Sequence, residues 1–273
     1  MVNHASLAIT DADVAAYRRD GAVCLRGVVP DLWVERLAAA AEEVFAHPNA
    51  FSRGGRFFSG RFMWRDHPQF RAFVFESPMA RIAQRLMGSR SVTFIYDHLF
   101  NKEPGTPDPS PWHNDLPYWP VDGEQICSIW VPFDYVTPDS GVVQYVRGSH
   151  RWGKKFKPVS AGGDSREFSG SGFEPVPDIE ASPGQFELIT WELRPGDCLV
   201  HHALTVHGAR GNATSDRRRR ALATRWGGDD AVYDPRPGTM SLPEDPRIQP
   251  GVPLASKLFP LVIPATSGEA QNG

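Results

Sequence analysis

The chain has 273 residues, of which 41% are hydrophobic and 22% charged, with a formal net charge of -3. That length and balance allow one large domain over residues 1–273 with an ample core, and exclude a low-complexity or disordered chain. The faintly acidic charge argues against nucleic acid or a membrane surface as main partner, and no segment reaches the ~18 apolar residues of a membrane span.

In chain order, Thr10 caps a predicted helix from Asp11 to about Arg19, with Asp11 and Asp13 in its first turn and Gly21 as its stop. Ala22 to Val29 suits a strand. Pro30 opens a second helix, in which Leu32, Val34, Leu37, Ala38 and Ala41 recur at helical period. Residues 67–75 and 78–87 form two further helices, the second ended by Gly88. The Phe-, Arg- and Gly-rich stretch between them, FSRGGRFFSGRFMW, reads as a loop. Residues 1–90 are thus expected to be mainly helical.

From Ser91 the pattern becomes β-rich: SVTFIYDHLFNK, QICSIWVPFDYV, GVVQYV, DCLVHHALTVHG and RRALATRWGG. Strands separated by turn signals, without helical spacers, point to a mainly β fold. An antiparallel sandwich or barrel such as a jelly roll over 91–230 fits, with the N-terminal helices flanking it. Residues 150–190 are polar and rich in Gly, Ser and Pro, as expected of a loop insertion, and 231–273 form a C-terminal extension.

Cys24, Cys127 and Cys198 are widely spaced, without a C-x-x-C pair, so neither a disulfide framework nor a zinc knuckle is expected. The N-terminal residues lack the basic and apolar regions of a signal peptide, and a cytoplasmic location is expected.

The chemistry is concentrated in PWHNDLPYW and LTVHGARGN. On a strand, His113 and Asp115 at i and i+2 would share a face, and His207 ends another predicted strand. Two imidazoles and one carboxylate are the facial ligand set of non-haem iron(II), which leaves coordination positions open for a chelating co-substrate and dioxygen. H-x-D alone is a common accident. The order H-x-D, long gap, H-G-x-x-x-N, arginine is far more specific.

These segments, with FNKEPGTPDPS before the first motif and SIWVPFDYVTPDSGVVQYVRGSHRWG between the two, resemble the phytanoyl-CoA dioxygenase family of iron(II)/2-oxoglutarate oxygenases. The resemblance implies a double-stranded β-helix, Fe(II) on His113, Asp115 and His207, and 2-oxoglutarate and O2 as co-substrates. Retention of Asp115 favours oxygen insertion over halogenation, because halogenases of related fold lack that carboxylate. The expected outcome is hydroxylation of a small metabolite, or desaturation, epoxidation or cyclisation at the same centre. A metal enzyme of cupin type without 2-oxoglutarate, or a jelly-roll binding module, is the competing reading.

An arginine should hold the distal carboxylate of 2-oxoglutarate by two parallel hydrogen bonds. The family spacing from His207 lands on Arg218. The strand pattern favours Arg219, because its inward companions would be Ala221, Ala223 and Arg225, leaving Leu222 and Trp226 to pack under the helices. Asn101 and Lys102 resemble the family segment lining the co-substrate pocket, and Trp119 resembles a position near it. Ser128 and Trp130 contact the co-substrate or pack the barrel. His202 reads as a core or supporting histidine, and His150 as structural. Arg53, Arg56, Phe57, Phe58, Arg61, Phe62 and Trp64, with Trp112 and Tyr118, either build a pocket for an apolar molecule bearing an anionic group or pack the helices. No CoA-binding feature is evident. The oligomeric state is expected to be monomer or homodimer.

Overall fold

The structure is a computed structural model that describes residues 9–159, 172–182 and 184–265. The chain enters through α1 (Asp11–Asp20). Its first turn is closed reciprocally: the Thr10 hydroxyl accepts from the Asp13 amide (3.1 Å), and the Asp13 carboxylate accepts from the Thr10 amide (2.8 Å). Gly21 ends it with a φ of 79°, and a Cβ there would lie 2.4 Å from His150 Nδ1, so only glycine fits. The strand that follows is shorter than expected, β1 (Ala22–Leu25), before α2 (Asp31–Ala46). In α2 the buried stripe is Trp33, Val34, Leu37, Ala40, Ala41 and Val44, whereas Leu32 is exposed; Trp33 instead meets Phe73 edge-on at 5.6 Å.

The Phe/Arg/Gly segment is not a loop. It forms a hairpin, β2 (Ser52–Arg53) and β3 (Phe57–Arg61), followed by the single helical turn α3 (Met63–Asp66). The tertiary environment decides this. β3 lies antiparallel to β4 (Val92–Lys102), whose length leaves a free edge to pair with. Helices α4 (Pro68–Glu76) and α5 (Met79–Met87) then bring the chain back to β4.

Beyond β4 come β5 (Ser110–His113), β6 (Val121–Asp122), β7 (Ile126–Pro132), β8 (Val143–Val146), β9 (Leu188–Ile189), β10 (Cys198–His202), β11 (His207–Ala209), β12 (Arg219–Gly227), β13 (Val232–Tyr233) and β14 (Leu261–Ile263). Among the described residues, a major sheet of eight strands runs β1-β10-β7-β12-β4-β3-β2, with β14 also on β4. A minor sheet of four runs β5-β11-β8-β9. The segment DCLVHHALTVHG is therefore two strands. β10 belongs to the major sheet, and a turn at 203–206 carries the chain across to β11 in the minor one.

Alternation assigns the faces of the major sheet. Cys127, Ile129, Val131, Cys198, Val200, Leu222 and Trp226 pack under Leu37, Phe70, Phe73 and Ile82 of the helices, and each such apolar side chain contributes about 1.5–3 kcal/mol. The opposite face looks into the space between the sheets. This is the jelly-roll architecture the strand pattern anticipates, with the helices on the outer face of the major sheet. The C-terminal segment folds over one end: Met240 N–H donates to the Tyr118 carbonyl (2.7 Å), and Arg236 donates to the carbonyls of Leu116 (2.6 Å) and Val121 (3.2 Å).

Candidate metal centre and its pocket

His113 and His207 face each other directly across the β5–β11 pair. Asp115 reaches them by a different route from the one alternation suggests. It has left the strand, with φ -76° and ψ -39°, and sits where a short 3-10 turn begins, its N–H donating to the Ala203 carbonyl (2.9 Å). The result is a cluster in which one donor atom from each of the three residues lies within 4.8 Å of the others. Asp115 Oδ1 is 3.6 Å from His113 Nε2 and 4.0 Å from His207 Nε2.

Hydrogen bonding fixes which nitrogens are free. His113 Nδ1 is 2.7 Å from the Pro111 carbonyl and His207 Nδ1 is 3.0 Å from the Thr205 carbonyl. A carbonyl only accepts, so both Nδ1 atoms carry a proton and both Nε2 atoms are the ones turned into the cluster. Burial holds the His207 ring well below its ordinary pKa, hence neutral. Burial would raise the Asp115 carboxyl, but the neighbouring His113 and His201 rings, with His207 and Arg225, hold it well below the usual carboxylate range. Two imidazoles anchored through Nδ1 and one ionised carboxylate, converging on one point, fit a divalent first-row ion.

The sequence marks His202 as a core or supporting histidine, and the structure buries it away from the metal cluster. The place beside the cluster belongs to His201, whose Nε2 donates to Asp115 Oδ2 (3.1 Å); its Nδ1 is then free to accept from the Tyr145 hydroxyl (3.3 Å). His202 points the other way, to the Glu124 carbonyl (2.7 Å). The signal existed: His201 lies opposite Ser128, an inward position of β7. His150 bonds the Arg18 carbonyl, as a structural residue would.

The cluster opens into a cavity of about 580 Å³ whose walls include Tyr96, His98, Tyr118, Trp119, Ser128, Trp130, Tyr145, Arg219 and Arg225. The four arginines separate sharply. Arg218 pairs with Glu42 (2.9 Å) and Glu103 (3.0 Å), Arg220 with Asp134 (2.6 Å) and Glu42 (2.8 Å), and Arg217 lies over Tyr135 beside Asp216. Arg219 is 2% exposed, lies over the Trp130 ring at 5.6 Å, and leaves its Nε without a partner. Burial lowers its pKa to about 10, so it stays charged. Ala221 and Ala223 share its face, while Leu222 and Trp226 pack under the helices.

Trp119 is fully buried in the pocket wall, its Nε1 donating to the Tyr96 hydroxyl (2.7 Å). Asn101 and Lys102 are not among the walls. Asn101 faces away and donates to Glu103 (2.6 Å), while the Lys102 side-chain nitrogen donates to the Arg210 carbonyl (2.7 Å) and sits 4.7 Å from the Phe57 ring centre. Of the aromatic–basic segment, Arg53, Arg56, Phe57 and Arg61 line the pocket, whereas Phe58, Phe62 and Trp64 belong to the core. Trp112 turns outward to Glu180 (3.0 Å). His98, bonded to Ser59 Oγ (2.7 Å), is a wall residue that the sequence did not single out.

A jelly roll with a His–Asp–His cluster between its sheets defines the class: a non-haem metal oxygenase. The sequence profile of the phytanoyl-CoA dioxygenase (PhyH) family matches residues 17–221, and the chain belongs to that family. Among curated proteins it is 25% identical to the multifunctional dioxygenase prhA of Penicillium brasilianum, over 79% of this chain and 71% of the relative. To the human peroxisomal phytanoyl-CoA dioxygenase it is 24% identical, over 55% and 43%. Among solved structures it resembles the carbocyclase SnoK (TM-score 0.77, 25% identity, 93% of this chain and 97% of that one). It also resembles the epimerase SnoN, solved with Fe3+, alpha ketoglutarate and nogalamycin RO (TM-score 0.71, 26% identity, 92% and 97%). The protein is thus a 2-oxoglutarate-dependent non-haem iron dioxygenase, using iron, 2-oxoglutarate and O2. Among the described residues no helix is long and apolar enough to cross a membrane.

Proposed function

We propose that the enzyme hydroxylates a small, largely apolar molecule bearing an anionic group, with decarboxylation of 2-oxoglutarate to succinate and CO2. The observation that carries this is that one cavity receives both the His–Asp–His donors and Arg219, the arginine of its run that pairs with no acidic side chain among the described residues. His113 Nε2, Asp115 Oδ1 and His207 Nε2 would hold Fe(II), which supplies the redox chemistry with dioxygen. Arg219 takes the distal carboxylate of 2-oxoglutarate through its two-pronged guanidinium, and Ala221 and Ala223 leave room beside it. Tyr118, Trp119 and Met240 exclude water from the reacting end. Arg53, Arg56 and Arg61 line the mouth and suit an anionic group on the target. Retention of Asp115 supports oxygen insertion over halogenation, since a halide would need the position a carboxylate fills.

A second outcome, ring closure or epimerisation after the same C–H oxidation, is favoured by the likeness to SnoK and SnoN and by the roomy cavity. Anaerobic addition of Fe(II) and then 2-oxoglutarate should produce the visible charge-transfer band of the chelate. Loaded metal without that band would refute the assignment. Succinate release across aromatic and polycyclic carboxylates, with product mass, separates hydroxylation from ring closure.

A further inference from the structure

One transverse row of pocket side chains holds two members, Ser128 and Arg225, that neither the metal nor Arg219 accounts for. Antiparallel register aligns His201 of β10 with Ser128 of β7, Ser128 with Arg225 of β12, and Arg225 with Tyr96 of β4. Directly opposite residues hold their Cβ atoms about 4.5–5.5 Å apart, so these four stand side by side on the inner face. His201 is committed to Asp115, which puts the row at the metal end of the cavity.

Arg225 is 5% exposed. Its guanidinium lies over the rings of Tyr96 (4.9 Å) and Trp119 (5.8 Å), and one terminal nitrogen donates to the Ala223 carbonyl (2.9 Å). Its Nε has no partner, and no acidic side chain among the described residues pairs with it. Asp115 lies near enough to feel its charge, yet directs its oxygens to the cluster and to His201. Ser128 is fully buried, and its Oγ also makes no hydrogen bond. Buried guanidinium groups are rarely left without an anion, and buried hydroxyls rarely without a partner. Here the two sit on neighbouring strands, open to the same cavity.

We propose that Arg225 and Ser128 form a second carboxylate-binding subsite, at the metal end of the pocket and separate from Arg219. The inference rests on the iron and 2-oxoglutarate assignment for its charge balance. At the metal end, a divalent ion, Asp115, a 2-oxoglutarate dianion and Arg219 together carry no net charge, so Arg225 adds there a positive charge that no described acidic side chain pairs with. Two sources share the chemistry: the keto-acid end of 2-oxoglutarate, or an anionic group on the target molecule. Ser128 donates to the same oxyanion, and the two aromatic rings hold the guanidinium flat against the wall.

Calorimetric titration of the metal-free protein tests this without turnover. 2-Oxoglutarate is titrated first, then benzoate at saturating 2-oxoglutarate, into wild type, Arg225→Gln, Arg225→Lys and Ser128→Ala. Arg225→Gln should weaken one of these titrations about tenfold or more, as expected for a lost charge-assisted hydrogen bond. Arg225→Lys should recover part of the loss. Ser128→Ala, which removes a hydroxyl that bonds nothing in the protein and so spares folding, should weaken the same titration about two- to fivefold. Loss in the 2-oxoglutarate arm identifies the keto-acid carboxylate as the ligand, and loss in the benzoate arm identifies the target's anion. Wild-type affinities in both arms for Arg225→Gln and Ser128→Ala would overturn the subsite. Absence of the charge-transfer band with iron would undo the proposed function and leave this titration standing as its own test.

Discussion

The two sheets contribute to the site in opposite ways. The minor sheet delivers its donors from irregular places: His113 at the last residue of β5, Asp115 in the turn beyond it, and His207 at the start of β11. The histidines are aimed by a nearby backbone carbonyl, and the carboxylate by His201, which reaches it from β10 of the major sheet. The major sheet delivers Arg219, Ala223, Arg225, Ser128 and Tyr96 by alternation, with a register shift between β12 and β4 just beyond Arg225 and Tyr96 and the helices fixing which face is inward. Turns built this way can bring three ligands to one point, which a flat pleat cannot. The pleat supplies a graded wall, on which a one-residue slip would exchange every contact.

The largest effect that separates the two regions is expected from His207→Ala, which removes one of three donors. The charge-transfer band and turnover should vanish while the major-sheet core, and hence the melting temperature of the metal-free protein, stays near wild type. A surviving band would mean that the cluster is not the metal site. On the wall side, Arg219→Ala should raise the Kd for 2-oxoglutarate about 100-fold, as expected for two charge-assisted bonds lost together, whereas Arg218→Ala should leave it unchanged. The reverse pattern would move the wall by one residue. His201→Ala links the sheets: iron affinity should fall about 10–100-fold, the usual cost of removing a ligand's outer partner, with the 2-oxoglutarate anchor intact. Equal iron affinity in competition with a chelator would show that Asp115 needs no such support.

The smallest effect concerns pH. Burial, with help from the Arg219 charge, lowers the Lys102 amine to about 6. The unfolded chain then binds a proton that the folded one lacks between about pH 6 and the normal lysine range near 10, so this residue makes stability rise with pH across that window. Lys102→Met should flatten the slope in denaturant titrations at pH 6.5 and 8.5. An unchanged slope would mean that the amine is charged in the folded state.

What the sequence made legible follows the same division. Alternation along RRALATRW was enough to turn Arg219 inward and Leu222 outward, because a regular strand obeys one rule over many residues. His113 and His207 were legible as motif. The geometry of Asp115 was not, since its position comes from an amide bond to Ala203, 88 positions away in sequence number. The β2–β3 hairpin was illegible for a related reason: its Gly- and Arg-rich composition reads as loop, and only the open edge of β4 makes it a strand. His201 was missed although inward Ser128 opposite it carried the signal. Lys102 was expected to line the pocket, and a carbonyl of the 210 turn takes its side-chain nitrogen instead.

The family profile ends at residue 221, yet Met240 forms part of the pocket wall, and Arg236 grips the turn that follows Asp115. The residues the profile covers include the three metal donors and Arg219, and Met240 adds to the cavity wall from beyond it. Met240 thus reaches the cavity from a segment that carries none of the iron donors, so substitutions there alter the room beside the metal while leaving His113, Asp115 and His207 in place.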